Sequence, residues 1–315
     1  MSIVRRSNLV ISISDEGSLE QCWRHGADAI TLDLEPLGDA AAPDRRGLAA
    51  HVANVTHGGA DVFVRPRTTH LLTDLDAAVW PGLAGVVLAD LDDVGTLQQV
   101  DRSLAELERA RGFSVPLQVD LELRSAAGVG ACLELASACK RVTTVTVADS
   151  WIYADLGLPA DGVLDVDPLE IMKGRVVTIA AALGIQALGM SYPLSITHEV
   201  GDDARVHDAA LNARNLGFKG AHVLHASWAV PCNEGFSPQP SELAHHREVR
   251  RVFDEANRRG QGTSSVGNNM LVGVAIDLLA RRILTRGEAC ARKDKEKCAR
   301  LRTSGRDRHA ERAQR

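Results

Sequence analysis

Long apolar runs are absent from this chain, and so is a secretory opening. Met1-Ser2-Ile3-Val4-Arg5-Arg6 leads directly into a strand-like segment, which predicts a cytoplasmic protein with no membrane partner. The six cysteines, Cys22, Cys132, Cys139, Cys232, Cys290 and Cys298, have no C-x-x-C spacing and mostly sit on helix-like stretches, so neither a zinc site nor a disulfide framework is indicated. No Gly-x-Gly-x-x-Gly follows the first strand-like run and no Walker sequence occurs, which removes the main support for dinucleotide-binding and P-loop folds. The net charge of −5 conceals a division: from Arg286 to Arg315 there are eleven basic and five acidic residues, whereas residues 1–285 carry −11. An acidic body argues against a nucleic-acid-binding surface. The basic tail has no aromatic residue for stacking and too few apolar residues to pack, so disorder is expected from 288 to 315.

What is present is a repeated alternation. At 315 residues and 45% hydrophobic the chain can bury one barrel-sized core or two smaller ones. Short apolar runs at 9–13, 29–33, 61–65, 85–88, 117–122, 142–147, 185–188 and 221–224 read as strands. Between them lie helical stretches, the longest being Val94 to Arg111 with Leu97, Val100, Leu104 and Leu107 on one face. Eight strand–helix alternations in this length predict an α/β fold, a (β/α)8 TIM barrel over 1–236. Beyond Pro238 and Pro240, helices over 242–257 and 270–284 predict a C-terminal helical extension over 237–287. The second of these is apolar, which predicts packing on a neighbouring subunit and hence a homo-oligomer.

The chain is organised around residues 115–129. Leu117, Val119, Leu121 and Leu123 alternate with Gln118, Asp120, Glu122 and Arg124, the period of a strand, and from Ser125, a candidate cap, the period becomes helical. In a barrel the carboxyl ends of the strands surround the active site, so Glu122 points into a shared pocket. A surface carboxylate is the plainer alternative. The other strand ends carry Asp33 and Glu35, Arg65, Asp90, Asp149 and His225. An arginine with two or more carboxylates is a set that can bind Mg²⁺ and a 2-oxo acid, with the metal stabilising an enolate formed beside a carbonyl. For Arg65 a structural ion pair with Asp33 or Glu35 is the competing expectation. Lys173 and Arg175 read either as a phosphate contact or as a solvated helix face.

From about Arg6 to Leu284 the chain resembles the citrate lyase β subunit-like proteins of the HpcH/HpaI aldolase group. The likeness is carried by Arg6-Ser7-x-Leu9, by Ala27-Asp28 with Asp33-Leu34-Glu35, by Val64-Arg65, Leu121-Glu122 and Ala154-Asp155-Leu156-Gly157, and by Gly217-Phe218-x-Gly220, Leu224-His225, Asn233 and Phe236-Ser237-Pro238. The resemblance implies a carbon–carbon lyase or aldolase acting on a small carboxylate or acyl-CoA substrate, assembled as a trimer or hexamer. It implies Arg65 as substrate-binding and Glu122 as a ligand of Mg²⁺; beside these, Arg65, Glu35 and Asp33 are the catalytic candidates, Asp149 is the second candidate ligand, and Trp151 and His225 are further substrate-binding candidates, with a hydrogen-bonded scaffold role the plainer reading of His225. The family's second metal-binding Asp aligns with Trp151, whose indole cannot ligate Mg²⁺, and Asp149 is the substitute two residues upstream. Pro36, Asp90, Ala226, Gly189 and the segment Val266-Gly267-Asn268-Asn269-Met270 also depart from the family pattern. Three outcomes stay open: a lyase with a rearranged site, a different reaction in which His225 acts as acid or base, and a catalytically inactive binding or regulatory protein.

Overall fold

The structure, a computed structural model, describes residues 3–39, 44–159, 166–199, 202–267 and 270–313. Eight strands form one parallel sheet: β1 Ser7–Ser12, β2 Ala29–Asp33, β3 Asp61–Arg65, β4 Leu83–Ala89, β5 Gln118–Leu123, β6 Val142–Val147, β7 Gln186–Leu188 and β8 Ala221–Val223. Their order is β7-β6-β5-β4-β3-β2-β1-β8. The two edges meet through a parallel bridge between Leu188 and Gly220, where Gly189 N–H donates to the Gly220 carbonyl at 2.9 Å and Lys219 N–H to that of Ala187 at 2.9 Å. The (β/α)8 barrel expected from the alternation is therefore the fold observed.

Helices connect the strands, as parallel neighbours require. They are α1 Glu16–Gln21, α2 Arg45–Val55, α3 Leu71–Ala78, α4 Val94–Arg111, α5 Ala126–Ala138, α6 Asp149–Asp155, α7 Glu170–Leu183, α8 Leu194–Thr197, α9 Asp203–Leu216 and α10 Ala229–Gly235. Side chains cap several of them: Asp44 accepts from Arg46 and Gly47 N–H, Asp93 from Gly95 and Thr96, and Ser125 from Gly128. Helix α4 stops at Gly112, which takes the left-handed φ of 71° that ends a helix without steric cost. No helix among the described residues is long and apolar enough to cross a membrane.

Period two divides each strand between two environments. Leu9, Ile11, Ile30, Leu32, Val62, Val64, Val86, Leu88, Val119 and Leu121 are buried in one apolar cluster with helix residues such as Leu48, Leu97 and Leu135. Each contributes about 1.5–3 kcal/mol by leaving water. The alternate positions Asn8, Thr31, Asp120, Thr144, Thr146 and His222 face the lumen. His222 Nε2 on β8 lies 3.0 Å from Asp120 Oδ2 on β5, and these strands are not neighbours, so the contact crosses the interior. Thr146 Oγ1 donates to Asp120 at 2.8 Å and Thr31 Oγ1 to Asn8 at 2.9 Å, which satisfies polar groups that would otherwise be costly to bury.

The described chain falls into two compact units. One comprises Arg5–Phe236 and the chain from Ala299 on; the other comprises Ser237–Cys298 and the residues before Arg5. The second holds α11 Pro240–Arg258, an antiparallel hairpin of β9 Ser264–Val266 and β10 Met270–Val272, and the start of α12 Val274–Ala313. Two expectations are corrected here. The helix expected from Met270 begins only at Val274, because Gly267 turns the chain at φ 56° and Met270–Val272 pairs with β9. The tail expected to be disordered from 288 is helical to Ala313, while 314 and 315 lie outside the described residues. Composition explains this: no Pro interrupts the stretch, Ala, Arg, Lys and Glu favour helix, and Ala289 and Cys290 are buried beside Val4.

Candidate active site

The carboxyl ends of β2, β3 and β5 bring Asp33, Arg65 and Glu122 together. Arg65 donates to both Asp33 oxygens, Nε to Oδ1 at 2.9 Å and Nη2 to Oδ2 at 2.6 Å. Its Nη1 donates to Glu122 at 2.9 Å, and Glu35 lies 3.5 Å from Nε. Arg65 sits on β3 and Glu122 on β5, so this pair also spans the lumen past β4. A second guanidinium closes the network: Arg124 donates through Nη1 and Nη2 to Glu35 at 2.6 and 2.8 Å and through Nε to Glu122 at 2.7 Å. The His222 ring completes it, with Nδ1 3.2 Å from Glu122 and Nε2 on Asp120.

This arrangement controls protonation. Burial alone disfavours the Glu122 carboxylate, but the His222 hydrogen bond and the charges of Arg65, His222 and Arg124 outweigh it and hold Glu122 well below the usual carboxylate range. Burial opposes the His222 imidazolium as well; hydrogen bonds to Asp120 and Glu122 overcome that and raise its pKa to about 9. Glu122 is 4% exposed, so it is not the surface carboxylate of the plainer alternative. For Arg65 the ion-pair expectation is met, with Asp33, Glu35 and Glu122 all as partners.

Above the network opens a cavity of about 670 Å³ including its mouth. Arg65, Glu122 and His222 line it on one side; Trp151, Met190, Leu194, Leu224 and Trp228 supply apolar walls. Asp149, Ser150 and His198 also face it, with Ser150 Oγ 2.8 Å from His198 Nε2. Burial, and then the neighbouring His225, lower the His198 pKa.

The metal ligand set expected from the resemblance does not assemble. The Asp149 carboxylate lies against Lys173 Nζ, which also donates to Asp167 at 2.7 Å and to the Met190 carbonyl at 3.2 Å. Neither Asp149 oxygen makes a hydrogen bond of regular geometry, and burial raises its pKa to about 6 against the pull of Lys173. Both Glu122 oxygens are taken by cationic side chains. Among the described residues no three His, Cys, Asp or Glu side chains converge on a metal position. A dication needs several unclaimed oxygens, so these residues do not fit Mg²⁺.

Trp151 is half-exposed, lines the cavity and stacks over Arg124 at 4.7 Å from its guanidinium carbon. His225 packs edge-on against Trp228 and its Nε2 lies 3.2 Å from the His198 carbonyl; the imidazole that meets Glu122 is His222, three residues earlier. Asp90 is exposed at a positive φ of 57°. Sequence reading missed Arg124 and His222 and misassigned Lys173. For Arg124 and His222 the signal was there, since both fall on the lumen-facing period of their strands. Lys173 is fully buried with two carboxylates, which corrects both the phosphate-contact and the solvated-face expectations. Of the departures near the C-terminus, Asn268 and Asn269 lie outside the described residues.

Several of the resembling motifs are scaffold. Asp28 receives Arg6 Nε and Nη2 at 2.7 and 2.9 Å in full burial, and Asp155 accepts from Ala126 N–H at 2.7 Å at the start of α5. Asn233 ties Ser7 to the Gly26 carbonyl.

Known proteins resemble this chain. An L-malyl-CoA/beta-methylmalyl-CoA lyase of Cereibacter sphaeroides is 24% identical, covering 81% of this chain and 86% of its own. A (3S)-malyl-CoA thioesterase of the same species is 27% identical over 91% of this chain and 95% of its own. A citrate lyase structure from Burkholderia xenovorans superposes with a TM-score of 0.73 at 16% identity, covering 94% and 96% of the two chains. The CitE protein of Mycobacterium tuberculosis, in complex with magnesium, acetoacetate and coenzyme A, gives a TM-score of 0.63 at 19% identity over 91% and 99%. The model of the HpcH/HpaI aldolase/citrate lyase family matches residues 6–226, and this chain belongs to that family.

Proposed function

We propose that the barrel is a carbon–carbon lyase or aldolase acting beside the carbonyl of a carboxylated substrate, presented as a coenzyme A thioester or as a free oxo acid. The observation that carries this reading is the joint placement of Arg65, His222 and Glu122 on a half-apolar cavity at the carboxyl end of the barrel of a family member. Breaking a C–C bond next to a carbonyl leaves an enolate, and donors aimed at that oxygen lower the barrier. Arg65 is the cationic donor on the cavity wall, His222 adds positive charge there while both its nitrogens stay on Asp120 and Glu122, and the Trp151 and Trp228 side takes the acyl part. The carbanion carbon needs a proton, which a wall group near neutrality can exchange. Asp149, whose pKa burial raises to about 6, has that character. Magnesium occurs in the mycobacterial structure, but the donor set described for this chain does not accommodate it.

The test is incubation with malyl-CoA and separation of the products. Acetyl-CoA with glyoxylate marks C–C cleavage, free coenzyme A with malate marks thioester hydrolysis, and Arg65→Ala should remove whichever is seen. No turnover of hydroxyacyl-CoA or oxo-acid aldol substrates, with ligand binding retained, would support a second reading as a binding or regulatory protein. One observation favours that alternative: Arg65 already spends its Nε, Nη1 and Nη2 donors on Asp33 and Glu122. We also propose a homo-oligomer, on the exposed Val274 and Leu278, one helical turn apart on α12.

A further inference from the structure

Glu35 and Glu122 come from different strand ends and are joined by one cation, Arg124, through three charge-assisted hydrogen bonds of 2.6–2.8 Å. A divalent ion bridging two carboxylates would make the same kind of link through oxygen. Arg65 brings a second permanent positive charge to Glu122 at 2.9 Å. Two guanidinium charges around one carboxylate equal the charge of one dication.

Trp151 makes sense in the same terms. An indole offers no lone pair to a metal, but its face attracts a guanidinium, and Arg124 lies 4.7 Å from the ring centroid. Trp151 without Arg124 would leave Glu35 with only the 3.5 Å contact to Arg65. Arg124 beside a metal would crowd three positive charges onto the same oxygens. The two residues are coherent only together.

We propose that Arg124 is a resident cation standing in for a divalent metal, with Trp151 as its cover, so that the cavity binds a carbonyl substrate without any metal. The inference rests on the reading that the cavity takes a carboxylated carbonyl compound. Arg124 is not on the cavity wall; it acts by holding Glu35 and Glu122, and so is a positioning residue.

The experiment titrates Mn²⁺, followed by electron paramagnetic resonance, into the wild-type protein and into the double variant Arg124→Met/Trp151→Asp. In parallel, calorimetry measures oxaloacetate binding in EDTA and in Mg²⁺. Wild type should leave the free Mn²⁺ signal unchanged at millimolar metal. Its oxaloacetate affinity should change by less than about threefold between EDTA and Mg²⁺. The double variant, with a carboxylate restored and the competing cation gone, should take up Mn²⁺. Mn²⁺ bound by wild type and lost in Glu122→Gln overturns the inference whether or not the double variant folds, and leaves the lyase reading intact. A folded double variant that takes up no Mn²⁺ overturns it too. Oxaloacetate that binds under neither condition, with wild type still metal-free, refutes the substrate reading instead.

Discussion

Replacing Glu122 with Gln keeps the side-chain shape and deletes one negative charge from the centre of a buried network. Arg65 Nη1, Arg124 Nε and His222 Nδ1 lie 2.9, 2.7 and 3.2 Å from its oxygens. The glutamate is 4% exposed, so water cannot replace the lost charge. Breaking a buried pair by removing one partner costs about 3–5 kcal/mol, since the cations left behind remain desolvated. A barrel of this size unfolds with an entropy of about 0.5 kcal/mol/K, so Tm should fall by about 6–10 °C. Differential scanning calorimetry of wild type, Glu122→Gln and the exposed-site control Glu134→Gln measures this, and the control should stay within about 0.5 kcal/mol. Adding Arg124→Met to Glu122→Gln removes one stranded cation, so the double variant should lose at least about 1 kcal/mol less than the sum of the single losses. A Glu122→Gln protein melting within about 2 °C of wild type, or strict additivity in the cycle, would refute the network.

Other expectations follow from other parts of the molecule. His222 titrates near 9 when folded and near 6.5 when unfolded, so its contribution to stability is complete below about 6.5 and is lost as pH rises through about 9. The wild-type advantage over His222→Gln in urea melts should therefore shrink between pH 6 and pH 10; a pH-independent difference contradicts the assignment. Lys173→Met leaves Asp149 and Asp167 without their shared cation and should cost about 3–5 kcal/mol, whereas a solvated lysine would cost almost nothing. Gly220→Ala drives a Cβ into the Arg5 and Arg6 carbonyls where β8 meets β1, and should cost about 3 kcal/mol or more, read as a lower urea midpoint. If α12 packs on a second copy, Leu278→Asp lowers the sedimenting mass; an unchanged mass removes that face from the interface.

Period two and period 3.6 made the barrel readable. Strands β2, β3 and β6 and helix α4 stand at the residues where the apolar spacing put them, because each is a local pattern that buries one face. The pairing of Ser264–Val266 with Met270–Val272 was not readable: an apolar run from Met270 looks the same whether its first residues pair with β9 or enter the helix. Scarcity of apolar residues hides the order of the tail, because its helix propensity needs only a few buried anchors.

By itself the sequence determined that the strand ends would be charged and that Arg65, Asp33, Glu35 and Glu122 would meet, since strand ends in a closed parallel sheet have one place to point. Only the tertiary structure decided what the meeting does. Whether Glu122 offers its oxygens to a metal or to cationic side chains depends on what lies within 3.2 Å of it, and those partners come from β3, β8 and the residue just past the end of β5. Asp149 turns to Lys173 for the same reason: a buried carboxylate takes the nearest cation, and chain spacing says nothing about which cation the fold brings near.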